Sequence, residues 1–263
     1  MGYEYLKAEL TNAVFTVTLT RPERHNAFDE TLIAEITDAI IWANASPHVR
    51  VIVLRGEGAS FCSGADLNWM KRVAEYSLEE NEADARAMQM MFESIANSPK
   101  AVLARVQGAA IGGGAGLVAT CDIAIAADDA KFAFSEVRLG IAPAVIAPYV
   151  LRKIGAGAAR SLFLTGERFS ATEAYRLGLV QGVVPPHELD DAVNEKIAAL
   201  LQCSPAAITR IKRLVDDVVF QNLDDAAPIT VRAIAELRVS EEGQEGIKSF
   251  LEKRKPNYAT ETE

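Results

Sequence analysis

The first 130 residues alternate short, branched apolar runs with segments of helical period, and that alternation restricts the chain to few architectures. Tyr5 to Leu10 and Ala13 to Leu19 read as strands, the second dense in Val14, Phe15, Val17 and Leu19, with Asn12 supplying the turn between them. Asp29 is placed to cap a helix in which Ile33, Ile36 and Ile40 recur at helical spacing, and Val51 to Leu54 follows as a compact apolar strand. A glycine-bearing loop runs from Gly56 to Leu67. Beyond it, Ser77 and Glu80 form a capping-box pair ahead of Met88, Met91, Phe92 and Ile95. Ala101 to Val106 and Ile123 to Ala126 read as buried strands, and Gly112 to Cys121 as a tightly packed helix between them. Strands interleaved with helices in this way predict an α/β fold with a largely parallel sheet and crossover helices.

From about residue 144 the pattern turns helical. Ser170 and Glu173 form a second capping-box pair, Gly178 is placed as a helix stop, and two apolar stripes keep helical period: Leu189, Val193, Ile197 and Leu200, then Ile208, Ile211, Leu214 and Val218. There is no internal repeat, low-complexity segment or long linker. The organisation expected is a core over residues 1–195 that carries the functional loops and a helical region over 196–263.

Composition narrows the functional classes. A chain of 263 residues that is 49% hydrophobic and 24% charged has ample material for a core. Its net charge of −9 argues against nucleic acid and against anionic membrane surfaces as partners. Cys62, Cys121 and Cys203 lie far apart and show neither a disulfide framework nor metal-ligand spacing, which fits a reducing cytoplasm. Residues 1–20 include Glu4, Lys7 and Glu9 and lack the apolar core of a signal peptide. The uncharged run from Val106 to Cys121 is broken by glycines and is no membrane span.

No G-x-G-x-x-G follows a strand, no glycine-rich loop ends in Gly-Lys-Ser/Thr, and neither G-x-S-x-G nor H-E-x-x-H occurs. Only His25, His48 and His187 are available for histidine chemistry, and His187 sits in a polar helix start. Three segments stand out instead: RPERHNAF at 21–28, FCSGADL at 61–67 and GAAIGGGAGLVATCD at 108–122. Each lies just past a predicted strand, where α/β sheets expose ligand-binding loops.

Gly112, Gly113 and Gly114 fall at a strand-to-helix junction, where free backbone N–H groups and the helix dipole can meet developing negative charge. Close helix packing explains the same glycines, and a tight turn explains Gly64 and Ala65. Glu136 stands between Phe132-Ala133-Phe134 and the uncharged stretch from Leu139 to Leu151. That setting marks it for desolvation and acid/base work. A helix-start carboxylate or an ion pair with Arg138 explains it equally.

These segments, in this order and at these separations, resemble the crotonase family, the enoyl-CoA hydratase/isomerase superfamily. The likeness runs from RPERHNAF to the EKRKP tail at 252–256. It implies a spiral of β-β-α units with C-terminal helices, assembled as a homotrimer or a dimer of trimers. It also implies that the backbone N–H groups of Ala65 and Gly113 form an oxyanion hole for a thioester oxygen; loss of one such donor typically costs about 3–4 kcal/mol. Arg24, His25, Ser63, Asp66 and Leu67 would line the coenzyme A site, and Phe250 and Lys253 would reach coenzyme A, often from a neighbouring subunit. Coenzyme A enters as part of the acyl-CoA substrate; no separate cofactor and no metal is implied.

The chain departs from the family pattern at one point. Hydratases of this kind carry two glutamates that hold and activate one water; the second matches Glu136, but the first falls on Gly116. A single carboxylate suits either hydration of an enoyl-CoA or a proton shuttle between allylic carbons in an isomerase. DLNWM at 66–70 and SEVRLGIAPAVIAPYV at 135–150 look like hydratases of the methylglutaconyl-CoA and carboxygeranoyl-CoA type, whose substrates bear a distal carboxylate that would itself help position water or pair with a cation such as Arg138. The expectation is therefore an enoyl-CoA hydratase for a branched or carboxylated chain, with Glu136 as acid/base. An isomerase and a non-catalytic CoA-thioester-binding homologue are the alternatives. Asn68 to Ala74, Met88 to Phe92 and Ala142 to Tyr149 would set the acyl specificity.

Overall fold

The computed structural model describes residues 2–260. It opens with the hairpin of β1 (Leu6–Thr11) and β2 (Val14–Leu19), joined by Asn12 and Ala13, both at positive φ. Two such residues give the turn whose twist suits paired strands. Asn tolerates this conformation, whereas Ala13 is strained in it. The Ala13 carbonyl accepts a bond from Arg50 N–H at 2.8 Å, which anchors the turn.

There follow α1 (Glu30–Ala45), β3 (Val51–Gly56), α2 (Leu67–Val73), α3 (Leu78–Ala96), β4 (Ala101–Val106), β5 (Ala109–Ile111), α4 (Gly113–Thr120), β6 (Ile123–Ala127) and β7 (Lys131–Ala133). The second half holds α5 (Ala147–Thr165), β8 (Arg168–Ser170), α6 (Ala171–Leu177), β9 (Gly182–Val184), α7 (Leu189–Leu201), α8 (Pro205–Val218), α9 (Leu223–Val239) and α10 (Glu241–Leu251). The caps anticipated at Asp29 and Ser77 form: Asp29 accepts from Leu32 N–H, and Ser77 and Glu80 cap reciprocally. Ser170 caps α6, but Glu173 turns to Arg176 instead of back to the cap, so the second box is half made.

The main sheet has the order β1-β2-β3-β4-β6-β9. Only β1–β2 is antiparallel; the other ladders are parallel, as the strand–helix alternation requires. β3 and β4 are apolar on both faces because both are covered. One face, with Ile52, Leu54, Val102 and Ala104, joins the core under α1, α3 and α4. The other, with Val51, Val53, Ala101 and Leu103, packs on Leu189, Val193, Ile197 and Leu201 of α7.

A second sheet, β5-β7-β8, was not foreshadowed by periodicity, because its strands are three residues each. The chain leaves β4, turns at Gln107–Gly108 into β5, enters α4, returns through β6 and turns again into β7. One strand in each sheet followed by a helix makes each turn of a spiral, as the resemblance implied. Residue 195, the expected boundary, lies within α7, whose apolar face belongs to the sheet. The sparsely buried helices start at α8: α8 buries no residue fully, α9 only Ala233 and α10 only Ser249. Among the described residues no helix is long and apolar enough to cross a membrane.

Candidate active site

The three unusual segments converge through backbone hydrogen bonds. Ser63 N–H donates to the His25 carbonyl at 3.0 Å, Phe28 N–H to Gly64 at 2.7 Å and Asp66 N–H to Phe28 at 2.6 Å, which lace 21–28 to 61–67. Cys62 N–H donates to Ala109 and Ile111 N–H to Cys62, each at 3.0 Å, which lace 61–67 to the segment leading into α4. Side chains reinforce the lacing. Asn26, fully buried, donates to the carbonyls of Glu57 (2.9 Å) and Ser60 (2.8 Å). Arg21, also buried, bridges Asp29 at 2.7 Å and Asp66 at 3.3 Å with its guanidinium 4.2 Å from the centre of the Tyr5 ring.

This lacing orients two amides. Gly64 and Asp66 use their C=O and N–H toward Phe28, so in the strand pattern the N–H of Ala65 between them faces the opposite side. Gly113 is the first residue of α4, where an N–H has no acceptor within the helix. Both residues line one cavity of about 430 Å3. The glycines also serve packing: a β-carbon at Gly113 would lie 2.6 Å from Phe28 Cε2. Close approach and amide presentation are thus the same requirement.

Glu136 opens a short 3-10 turn, Glu136–Leu139, and lines the same cavity. A β-carbon on Gly112 would lie 3.1 Å from Glu136 Oε1, which places the carboxylate over the residue preceding Gly113. Glu136 Oε2 is buried and has no hydrogen-bond partner. Burial pushes its carboxyl above the usual carboxylate range, offset in part by its own backbone N–H. Among the described residues no ion pair joins Glu136 to Arg138, the expected alternative; Arg138 lies against Gly166 instead. A half-buried acid with one buried, unpartnered oxygen, in one cavity with the amides of Ala65 and Gly113, can exchange protons with a bound molecule while the amides hold the negative charge that develops.

Of the other residues singled out, Ser63 and Leu67 line the cavity, Leu67 at its mouth with 72% of its surface exposed. Arg24 and His25 are exposed on the first segment, with His25 Nδ1 3.0 Å from Ser60 Oγ. Asp66 is buried; its carboxylate caps α2 through Asn68 and Trp69 N–H and pairs with Arg21, and against the desolvation that would raise it, those two N–H bonds first and Arg21 after them hold it below the usual range. Phe250 and Lys253, near the end of α10, are exposed and do not line the cavity. Of the segments expected to set acyl specificity, Trp69, Met70 and Val73, then Met88, then Ala142 to Ile146 line the cavity.

Sequence reasoning missed Arg21 and Asn26, whose partners are distant in the chain. It also missed Asp84, which lines the cavity from α3 and accepts from Trp69 Nε1 at 3.2 Å. The available signal was an aspartate one turn before Met88 on the stripe that continues to Phe92 and Ile95.

Comparison with known proteins agrees with the geometry. The family described as "Enoyl-CoA hydratase/isomerase" matches residues 9–261. A solved enoyl-CoA hydratase from Shewanella pealeana is 40% identical with a TM-score of 0.93, covering 97% of this chain and 96% of that one. AtuE of Pseudomonas aeruginosa is 36% identical with a TM-score of 0.92, covering 97% and 100%. The crotonyl-CoA hydratase of Syntrophomonas wolfei is 34% identical over 260 residues, 98% of this chain and 99% of that protein.

Proposed function

Because the chain belongs to the enoyl-CoA hydratase/isomerase family of crotonase enzymes, we propose that it adds water across the 2,3 double bond of an enoyl-CoA, with Glu136 as the acid/base. The observation that carries this reading is the buried, unpartnered Oε2 of Glu136 in one cavity with the amides of Ala65 and Gly113. Glu136 takes a proton from water as the oxygen bonds to C3. The π electrons move onto the thioester oxygen, which the two N–H groups hold as an enolate. Glu136 then returns the proton to C2 as the carbonyl re-forms, so atoms and charge balance.

Arg24, His25, Ser63 and Leu67, around the mouth and its flanking segment, would meet coenzyme A, while Asp66 would act by fixing α2. Phe250 and Lys253 would reach it from a neighbouring copy in a trimer or dimer of trimers. Phe220, Leu223, Val231, Val239 and Leu251 support that assembly, since each exposes more than 60% of its surface on the C-terminal helices or the turn between α8 and α9.

The distinguishing assay supplies a conjugated enoyl-CoA and follows loss of its absorbance. Glu136→Gln is expected to lower kcat by about 10²–10⁴-fold while preserving affinity for coenzyme A. Full activity in that variant would overturn the assignment.

A second reading, an isomerase, is favoured by the surroundings of Gly116. A β-carbon there would lie 3.0 Å from Ile146 Cβ and 3.3 Å from Phe92 Cε1, so apolar groups fill the place of the family's first glutamate. One carboxylate suffices to move a proton between C4 and C2. Formation of conjugated absorbance from a 3-enoyl-CoA faster than its loss from a 2-enoyl-CoA would select this reading.

A further inference from the structure

The walls of the acyl cavity carry a charge pattern that speaks to the substrate. Among the described residues its only ionisable side chains are Glu136 and Asp84; no lysine, arginine or histidine among them lines it. Arg138, a candidate cation for a distal carboxylate, does not line the cavity and packs on Gly166. On α2, Arg72 is held by both oxygens of Glu30 at 2.7 Å, and Lys71 is exposed and outside the lining. Asp84 has no ion-pair partner among the described residues. Its one side-chain bond is the 3.2 Å bond from the buried Trp69 Nε1, which aims the carboxylate at the cavity wall.

We infer that Asp84 is a specificity-determining residue, which sets this cavity against acyl chains bearing a distal carboxylate and selects uncharged chains. The inference rests on the enoyl-CoA reading above. A carboxylated chain would exchange its water for a half-enclosed space that already holds an anion and offers no counter-ion, and both effects oppose binding. An uncharged branched chain meets Trp69, Met70, Val73 and Met88 instead and gains their apolar contact.

The test is calorimetric binding of saturated acyl-CoA pairs matched in carbon number from five to eight, such as valeryl-CoA against glutaryl-CoA and octanoyl-CoA against suberyl-CoA. The wild-type chain is expected to bind the uncharged member at least tenfold more tightly at one or more lengths. Asp84→Asn keeps the acceptor for Trp69 and removes the charge, and should shrink that ratio at least threefold at the same length. A wild-type preference for the carboxylated member, equal affinities at every length, or a ratio unmoved by Asp84→Asn would overturn the inference. Saturated thioesters cannot be hydrated, so an outcome here is independent of turnover. Failure of the hydratase reading would show separately, as absence of hydration of the matching 2-enoyl-CoA.

Discussion

Ile146 packs its side chain onto Gly116 so closely that any β-carbon at residue 116 must displace it, with Phe92 closing the other side. Sequence shows only that a glutamate is missing at 116. The structure shows that its space has been given to an aliphatic side chain, so the loss is built into the packing. Gly116→Ala should cost about 1–3 kcal/mol by overpacking, and Ile146→Ala about 2–5 kcal/mol by leaving a cavity. In urea unfolding the double variant should cost at least about 0.5 kcal/mol less than the sum. Strict additivity would show that the two residues do not share this space.

Glu136 gives a paired prediction for pH. Burial raises its carboxyl above the usual carboxylate range. The folded chain therefore binds more protons than the unfolded one between the usual value and the raised one, and stability falls as pH rises through that window. Glu136→Gln should melt above wild type at neutral pH, with the gap closing as pH drops to the ordinary carboxylate range. Activity has the opposite sign, since the base must be ionised: kcat/KM should fall on acidification with a midpoint above that range. A variant that melts lower at neutral pH, or an activity midpoint below that range, would contradict this account.

Arg21 ties the first two active-site segments together from a position with only 9% of its side chain exposed. Arg21→Met would leave Asp29 and Asp66 buried without their cation and should destabilise the fold by about 3–5 kcal/mol. Arg21→Lys should recover only part of this, because an ammonium cannot fork between two carboxylates. Denaturant midpoints within experimental error of wild type would remove Arg21 from this role.

The cysteines offer a direct check on burial. Cys62 and Cys121 are fully buried, and desolvation pushes both thiols up to about 12, whereas Cys203 is exposed. A thiol reagent at neutral pH should label one site in the folded protein, Cys203, and three after denaturation. Rapid labelling of Cys62 in the folded state would mean that the 61–67 segment opens.

Much of this molecule is written locally. Asp29 and Ser77 cap the helices they precede because a short polar side chain reaches the amide three residues on, a relation the chain carries within one turn. The apolar runs of β3 and β4 announce strands covered on both faces, and the glycines at the start of α4 announce close backbone approach. The amides proposed to do chemistry are legible for the same reason, since such a role asks only for small residues at a strand-to-helix junction. What folding alone decided depends on residues far apart in the chain. β5, β7 and β8 are too short to show a period and exist through pairing with one another. Asp66 became an ion-pair partner of Arg21, 45 positions away, and Asp84 reached the cavity because Trp69 binds it from another helix. Charge and packing at a site are sums over neighbours, and neighbours are assigned by the folded chain.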